Sequence, residues 1–294
     1  MNFDNNFSNG LENLGNTCFF NSILQLLYQC TVFNKLLLLN DFDGQITQIY
    51  KDFLTSYSHN SNPYKIVKYI SNILGRSSYA QEDAEQYLNY IIDSIVNELK
   101  TYIGKNSLQN LMITDKNITL ESLIDSLFTL HIKKNIICPK CNHISISNDN
   151  INKLYLSINS DKLEDMIVNY LSEVLDDNNK YKCDKCNNYV NAKIIREIVK
   201  LPKYLIITLK RYSNQNNKIN REINMYKEFI MKKKYELRGI VYHSGTTKGG
   251  HYVYYGEKNN NWYLYNDSLV SKINDEKLDN IMKYGYIYLY VSKT

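Results

Sequence analysis

Two Cys-x-x-Cys pairs, separated by a long stretch of chain, place the strongest constraint on how this sequence can fold. The pairs are Cys138 with Cys141 and Cys183 with Cys186, and 41 residues lie between them. Each pair can wrap two thiolates around one ion, and together they supply the four ligands of a tetrahedral zinc site. Because common zinc ribbons have spacings of roughly 15–20 residues, the intervening chain must form an excursion of its own.

A site with four thiolate ligands has no open coordination position, so the predicted zinc is structural and no catalytic cofactor is expected. Two unrelated thiol pairs without metal remain the alternative, and His143 is a possible rival ligand. Residues 1–10 do not resemble a secretory signal. We therefore expect a reducing compartment, where cysteines are thiols or metal ligands rather than disulfides.

Helical patterns come first in this chain and strand patterns come last. Apolar residues recur at helical spacing over 17–29 and 81–100. Runs typical of strands follow in the second half, at 204–209, 235–242, 251–255, 262–265 and 286–291. The order predicts an α+β fold with a mostly antiparallel sheet.

Charge and hydropathy exclude two classes of partner. The formal net charge is +5, but lysines and arginines are dispersed among acidic residues. No basic stripe with interleaved aromatics accompanies the cysteine pairs, which argues against a zinc-ribbon protein that binds nucleic acid. No segment approaches the roughly 18 continuous apolar residues of a membrane helix. We expect neither nucleic acid nor membrane as a partner.

The two remaining cysteines differ in their settings. Cys18 follows Gly15-Asn16-Thr17 at a loop-to-helix junction, where the helix dipole favours thiolate over thiol. Cys30 ends the same predicted helix among apolar residues and is expected to be a buried structural thiol. Cys18 is therefore the candidate nucleophile.

A candidate base and its polar partners lie near the other end of the chain. His251 stands between two glycines and a predicted strand, and Asn266 and Asp267 follow fifteen residues later. A nucleophilic cysteine needs a base, and the base needs a polar side chain that fixes its tautomer. Adjacent strand residues point to opposite faces, so both partners can approach His251 only if the strand ends or bends there.

Several segments together resemble the ubiquitin-specific proteases. Residues 10–22 (GLENLGNTCFFNS) are similar to the cysteine box of that family, and residues 235–270 to its histidine box. Residues 81–88 (QEDAEQYL) and 201–212 resemble two intervening family motifs, and the cysteine pairs resemble its zinc-bearing fingers. The match is collinear over about residues 10–291, essentially the whole chain.

The resemblance implies a papain-like cysteine protease fold, with a helical thumb, an antiparallel β palm and zinc-ribbon fingers. It implies one catalytic domain over 1–294, divided into thumb at about 10–120, fingers at about 121–200 and palm at about 201–294. Gln86 and Tyr87 depart from the family, which often has glutamate and phenylalanine there.

The resemblance also implies roles for individual residues. Cys18 is the nucleophile and His251 the base; Asn266 matches the third triad position, with Asp267 as a supporting acid. The position of Asn13 matches the oxyanion-hole amide. The remaining implied residues contact the C-terminal tail of ubiquitin: Asp83 at its basic part, and Gly249 and Gly250 along the channel for its terminal glycines.

The function expected from this resemblance is hydrolysis of isopeptide or peptide bonds at the C-terminal glycine of ubiquitin. Ubiquitin and ubiquitinated proteins are the expected partners of a monomeric enzyme located in the cytoplasm or the nucleus, inside a host cell if the source is a virus. Two alternatives stay open: a protease for a ubiquitin-like modifier, and an inactive relative that binds ubiquitin without cleaving it.

Overall fold

A computed structural model describes residues 9–57, 64–73, 82–105, 119–212, 217–246 and 249–293. The helices are α1 Cys18–Tyr28, α2 Thr31–Leu39, α3 Gln45–Tyr57, α4 Tyr64–Ile73, α5 Ala84–Lys105, α6 Leu120–Phe128, α7 Leu163–Leu171 and α8 Asp275–Tyr284. The strands are β1 Leu130–Ile137, β2 Ile144–Ile151, β3 Leu154–Leu156, β4 Ser172–Val174, β5 Tyr181–Lys182, β6 Tyr189–Val190, β7 Lys193–Lys200, β8 Tyr204–Leu209, β9 Glu228–Met231, β10 Lys233–Thr246, β11 Gly249–Lys258, β12 Asn261–Asn266, β13 Leu269–Ile273 and β14 Ile287–Ser292.

Helix α1 is enclosed on all sides, and every one of its residues is buried. Its apolar side chains repeat at helical spacing and pack in one core with α5 and with inward residues of β11. Cys30, just beyond its end, is fully buried, which confirms the expected burial of this thiol. The second predicted helix is also confirmed, although it runs from Ala84 to Lys105; Gln81 lies outside the described residues.

The main sheet carries the strands predicted from the second half of the sequence. Its order is β13-β12-β11-β10-β14-β8-β3, with β9 paired to β10. Neighbours are antiparallel except for β3 and β8, which run parallel. All six residues of β8 are buried, because this strand is covered on both faces. The predicted α+β class with a mostly antiparallel sheet is confirmed.

A second sheet, in the order β2-β1-β7-β4, extends from the main body and carries the cysteine pairs. The hairpin of β1 and β2 turns at residues 138–143, and the short hairpin of β5 and β6 turns at 183–188. The long spacing between the pairs is thus filled by β2, β3, α7, β4 and β5, which is the excursion that the sequence requires.

A buried arginine ties β8 to the segment around α8. Arg211 is 2% exposed, and its guanidinium donates to the carbonyl oxygens of Gly285 (2.7 Å), Lys283 (2.8 Å), Arg221 (3.0 Å) and Ile219 (3.1 Å). Five N–H groups in a planar fork suit such a set of carbonyls, and a lysine could not reproduce it. The arrangement fixes the C-terminal part of the sheet against its neighbouring loops.

Among the described residues, no single helix is long and apolar enough to cross a membrane. Helices α1 and α2 pass that test only as a pair, and they are bent by 83° relative to each other.

Candidate active site

The loop before α1 is folded by its own side chains. Gly15 has φ 93° and Asn16 has φ 59°, a left-handed turn that favours glycine and asparagine. The Oδ1 atom of Asn13 accepts from the backbone N–H groups of Gly15 (3.0 Å) and Thr17 (3.1 Å). This turn directs the chain into α1 and places Cys18 at the first position of the helix.

The Cys18 thiol is more protected than the sequence suggests. Its residue is 4% exposed, and burial raises the pKa of the thiol above its ordinary value. The backbone N–H groups of Tyr252 and Phe19 act against this shift, while the negative charge of Asp267 adds to it. The expectation that the helix start favours thiolate is therefore wrong for the free chain, because desolvation outweighs the helix N–H groups.

His251 lies on β11 directly before Tyr252, whose N–H faces the Cys18 sulfur. Its Nε2 atom is 2.6 Å from Oδ1 of Asn266 at the end of β12. Since a carbonyl-type oxygen only accepts, Nε2 carries the proton and Nδ1 keeps its lone pair. The imidazole therefore has one nitrogen held by Asn266 and the other suited to act as a base.

Asp267 is held in a tight turn immediately after β12. It has φ 50°, and its backbone oxygen accepts from the N–H of Leu11 (2.9 Å). Its Oδ2 accepts from Nδ2 of Asn13 (2.9 Å) and its Oδ1 from Nδ2 of Asn21 (2.8 Å). The Oδ2 atom lies 3.8 Å from Nε2 of His251, beyond hydrogen-bond length but within range of a charge interaction.

The strand geometry predicted for Asn266 and Asp267 is confirmed. Strand β12 ends at Asn266, and the turn at Asp267 brings both side chains to His251. The two differ in kind of contact, since Asn266 bonds the ring and Asp267 acts through space.

Asp83 lies at the start of α5 and links that helix to the main sheet. Its Oδ1 accepts from the backbone N–H of Glu85 (2.8 Å) and Gln86 (3.2 Å), which caps the helix. The hydroxyl of Tyr286 donates to Oδ2 at 2.9 Å, and that of Tyr252 is 3.4 Å from the same atom. Burial raises the pKa of the Asp83 carboxyl, and these hydrogen bonds oppose the shift.

Gly249 and Gly250 open β11 beside the base and pair with the end of β10. A Cβ atom on Gly250 would lie 2.1 Å from the backbone oxygen of Ser244 and 2.4 Å from Nε2 of His243. Only glycine permits this close approach of the two strands. The two glycines therefore line the backbone immediately before His251, as expected from the sequence.

A groove of about 400 Å³ opens between α5 and the strands β2 and β3. It is lined by Asn89, Asp93, Asn152, Lys153, Tyr155 and Tyr170, among others. Lys153 forms an ion pair with Glu85. Burial lowers the pKa of this lysine to about 8, and the Asp83 carboxylate opposes the shift. The groove is thus a polar and aromatic channel with acidic groups at one end.

The four paired cysteines meet at one point, as predicted. Their sulfur atoms all lie within 4.8 Å of one another, with Cys138 to Cys186 at 3.8 Å and Cys141 to Cys183 at 3.7 Å. The two turns are copies of each other in backbone form, since Asn142 and Asn187 both have φ 56°. This cluster can hold one metal ion. His143 is not part of it.

The model of the family described as ubiquitin carboxyl-terminal hydrolase matches residues 9–290. The chain belongs to this family. The recognition drawn from the sequence is confirmed, and so is the prediction of a cysteine-type deubiquitinase at the level of the family.

Two named relatives show how far the similarity extends. The Schizosaccharomyces pombe protein named "Probable ubiquitin carboxyl-terminal hydrolase 16" is 27% identical over 326 residues, covering 100% of this chain and 69% of its own length. Ubiquitin carboxyl-terminal hydrolase 25 of Arabidopsis thaliana is 30% identical over 305 residues, covering 89% of this chain. The chain spans only 44% of that second relative.

The fold is similar to that of the SAGA DUB module, Ubp8/Sgf11/Sus1/Sgf73 bound to monoubiquitin. The TM-score is 0.71 at 24% sequence identity, over 97% of this chain and 69% of the matched chain. The predicted protease fold is therefore confirmed.

Sequence reasoning assigned no separate role to Asn21, although this residue contacts Asp267. The signal available was a polar residue three positions after Cys18, on a helix whose other residues are buried. The tyrosine partners of Asp83 were also missed, because Tyr252 and Tyr286 are far from Asp83 in sequence.

The raised pKa of Cys18 predicts its reactivity in the free protein. Alkylation by iodoacetamide, followed on the Cys18 peptide by mass spectrometry, should keep accelerating between about pH 7 and about pH 9, because thiolate is the reacting form. Cys18→Ser identifies the signal. A rate that is already constant between about pH 6 and about pH 8 would contradict the raised pKa.

Proposed function

We propose that this chain hydrolyses the bond after the C-terminal glycine of ubiquitin, using Cys18 as nucleophile and His251 as general base. The observation that carries the proposal is the 2.6 Å hydrogen bond between Nε2 of His251 and Asn266, on the strand whose next N–H faces the Cys18 sulfur. It leaves Nδ1 able to take the thiol proton, which a neutral buried thiol requires.

The reaction then proceeds in two halves. Nδ1 of His251 removes the proton from Cys18, and the sulfur attacks the glycine carbonyl carbon. The amine leaves with the proton from His251, and a thioester remains. Water gives a proton to His251 and attacks the thioester, and the Cys18 sulfur regains that proton as ubiquitin departs with a free carboxylate.

Asn13 is proposed as an oxyanion donor together with a backbone N–H near Cys18. Its side chain is exposed beside the buried thiol, and one of its two amide N–H groups is bound to Asp267. The second N–H can serve the developing oxyanion, and such a donor is worth about 3–4 kcal/mol in the transition state.

Ubiquitin is the proposed partner, with its tail entering between the thumb and the main sheet. The groove beside α5 leads toward Asp83, and Gly249 and Gly250 lie next to the base. We propose Asp83 for the basic part of the tail and the two glycines for its terminal glycines. Helices α1 to α6 would form the thumb, the second sheet the fingers and the main sheet the palm of one catalytic domain.

The metal of the four-cysteine cluster is proposed to be structural zinc. A tetrahedral ion with Zn–S bonds of about 2.3 Å separates its sulfurs by about 3.8 Å. The Cys138–Cys186 and Cys141–Cys183 separations are close to that value. Four thiolates leave no position for substrate, so zinc would stabilise the fingers and take no part in the reaction.

Replacing Cys18 by alanine should abolish hydrolysis of a ubiquitin–fluorophore substrate, because the bond-forming atom is lost, while ubiquitin binding remains within a few-fold. A ubiquitin probe with an electrophilic C-terminus should label the wild type at Cys18. Residual turnover above about one per cent of wild type would contradict the assignment. Labelling by a ubiquitin-like probe instead would favour the modifier alternative, and binding without labelling would favour the inactive relative.

Replacing Cys183 by serine should release the metal and lower the melting temperature, since a site broken at one thiolate loses folding free energy. Elemental analysis of the pure protein should give about one zinc in the wild type and near none in the variant. Cys30→Ala is the matched control, because it removes a buried thiol outside the cluster. A normally folded wild type with less than about half an equivalent of zinc would refute the site.

Asn266→Ala should lower kcat/KM roughly 10–100-fold, the scale of one hydrogen bond to a charged group. Asp267→Ala should cost as much or more, since Asp267 also binds Asn13 and Asn21. The double variant should lose less than the product of the two, because both residues serve one base. A silent Asp267→Ala beside an inactive Asn266→Ala would mean that Asn266 acts alone.

A further inference from the structure

Asn21 lies one helical turn after Cys18 on α1 and is 3% exposed. Its Nδ2 atom lies 2.8 Å from Oδ1 of Asp267, 3.2 Å from the backbone oxygen of Glu12 and 3.3 Å from that of Leu11. All three neighbours are acceptors, so the amide nitrogen, and not its oxygen, must face them. The shortest contact is the one to the carboxylate.

The other end of the same amide carries a cost. Oδ1 of Asn21 is buried and has no hydrogen-bond partner in the part of the chain that the structure describes. An unpaired buried acceptor disfavours the folded state. An apolar side chain would avoid that penalty, so the advantage of asparagine here lies in what its N–H groups hold.

What they hold is one end of a carboxylate that must stay in place. Asn21 binds Oδ1 of Asp267 and Asn13 binds Oδ2, so the carboxylate is fixed at both oxygens. In this position Oδ2 stays 3.8 Å from Nε2 of His251, and Nε2 remains bonded to Asn266. Without the Asn21 amide, the carboxylate can rotate away from its present distance to the imidazole.

We infer that Asn21 is a positioning residue for the reaction, acting through Asp267 on His251; the inference rests on the proposed function. Because Asn21 and Cys18 share one turn of α1, the same hydrogen bond also sets the helix against the hairpin that carries Asn266 and Asp267. The nucleophile and the partners of its base are thereby held in a common frame.

Gln25 provides a matched control on the next turn of α1. It is 2% exposed, its Nε2 donates to the backbone oxygen of Asn9 (3.2 Å), and its Oε1 accepts from the hydroxyl of Tyr57 (2.9 Å). It is thus a buried amide on the same helix that binds the same N-terminal segment, and its hydrogen bonds do not involve Asp267.

The experiment compares Asn21→Ala, Gln25→Ala and Asp267→Ala on a ubiquitin–fluorophore substrate, with melting temperatures for each. Asn21→Ala should lower kcat roughly 10–100-fold with little change in KM, as expected for a hydrogen bond to a charged group away from the binding surface. Gln25→Ala should stay within about threefold of wild type at a similar loss of melting temperature. In the Asp267→Ala background, Asn21→Ala should cost less than about threefold more.

A pH profile of Asn21→Asp separates positioning from a purely structural role. The new carboxyl group would face Asp267 on the hairpin, near His251 on β11 and Cys18 on α1. Two adjacent carboxylates share a proton, so at acidic pH the new group donates to Asp267 as the amide does. Activity relative to wild type should therefore be higher at about pH 5.5 than at about pH 8.

Equal kcat losses in Asn21→Ala and Gln25→Ala, or a full additional loss in the Asp267→Ala background, would overturn this inference alone. Hydrolysis that survives Cys18→Ala would overturn the proposed function and the inference with it.

Discussion

The carboxylate of Asp267 joins parts of the chain that are more than two hundred residues apart. Its bonds to Asn13 and Asn21 span 254 and 246 positions, and its backbone oxygen holds Leu11. Closing so long a loop costs conformational entropy, which must be offset by packing elsewhere. The burial of the whole of α1 against the sheet provides that packing, and the hairpin after β12 can then present Asn266 to His251.

The same burial that positions Cys18 also makes it less reactive in the free protein. A thiol at a helix start receives backbone N–H groups that favour the thiolate, yet desolvation in this site is the larger effect. A neutral thiol needs a base with a free lone pair, and the hydrogen bond from Nε2 of His251 to Asn266 secures that state. Precision of placement and the need for a base thus have one cause.

Local patterns in the sequence were enough to predict most of the fold. The run 204–209 coincides with β8, and the strand end at Asn266 follows from the turn residues beyond it. The two cysteine turns have the same spacing and backbone form, so their meeting was predictable. In contrast, the Asn21–Asp267 bond, the tyrosines on Asp83 and the pKa of Cys18 depend on which distant segments pack together, and short-range periodicity contains no record of that.

The separation of Asn13 and Cys18 from His251 and Asp267 also has a consequence for synthesis. A ribosome makes the chain from its N-terminus at roughly 5–20 residues per second. The nucleophile therefore emerges well before the histidine and the turn that complete its surroundings. During that interval a nascent chain has Cys18 but neither partner, so newly made thumb segments cannot act on proteins near the ribosome until the palm strands have been translated and folded.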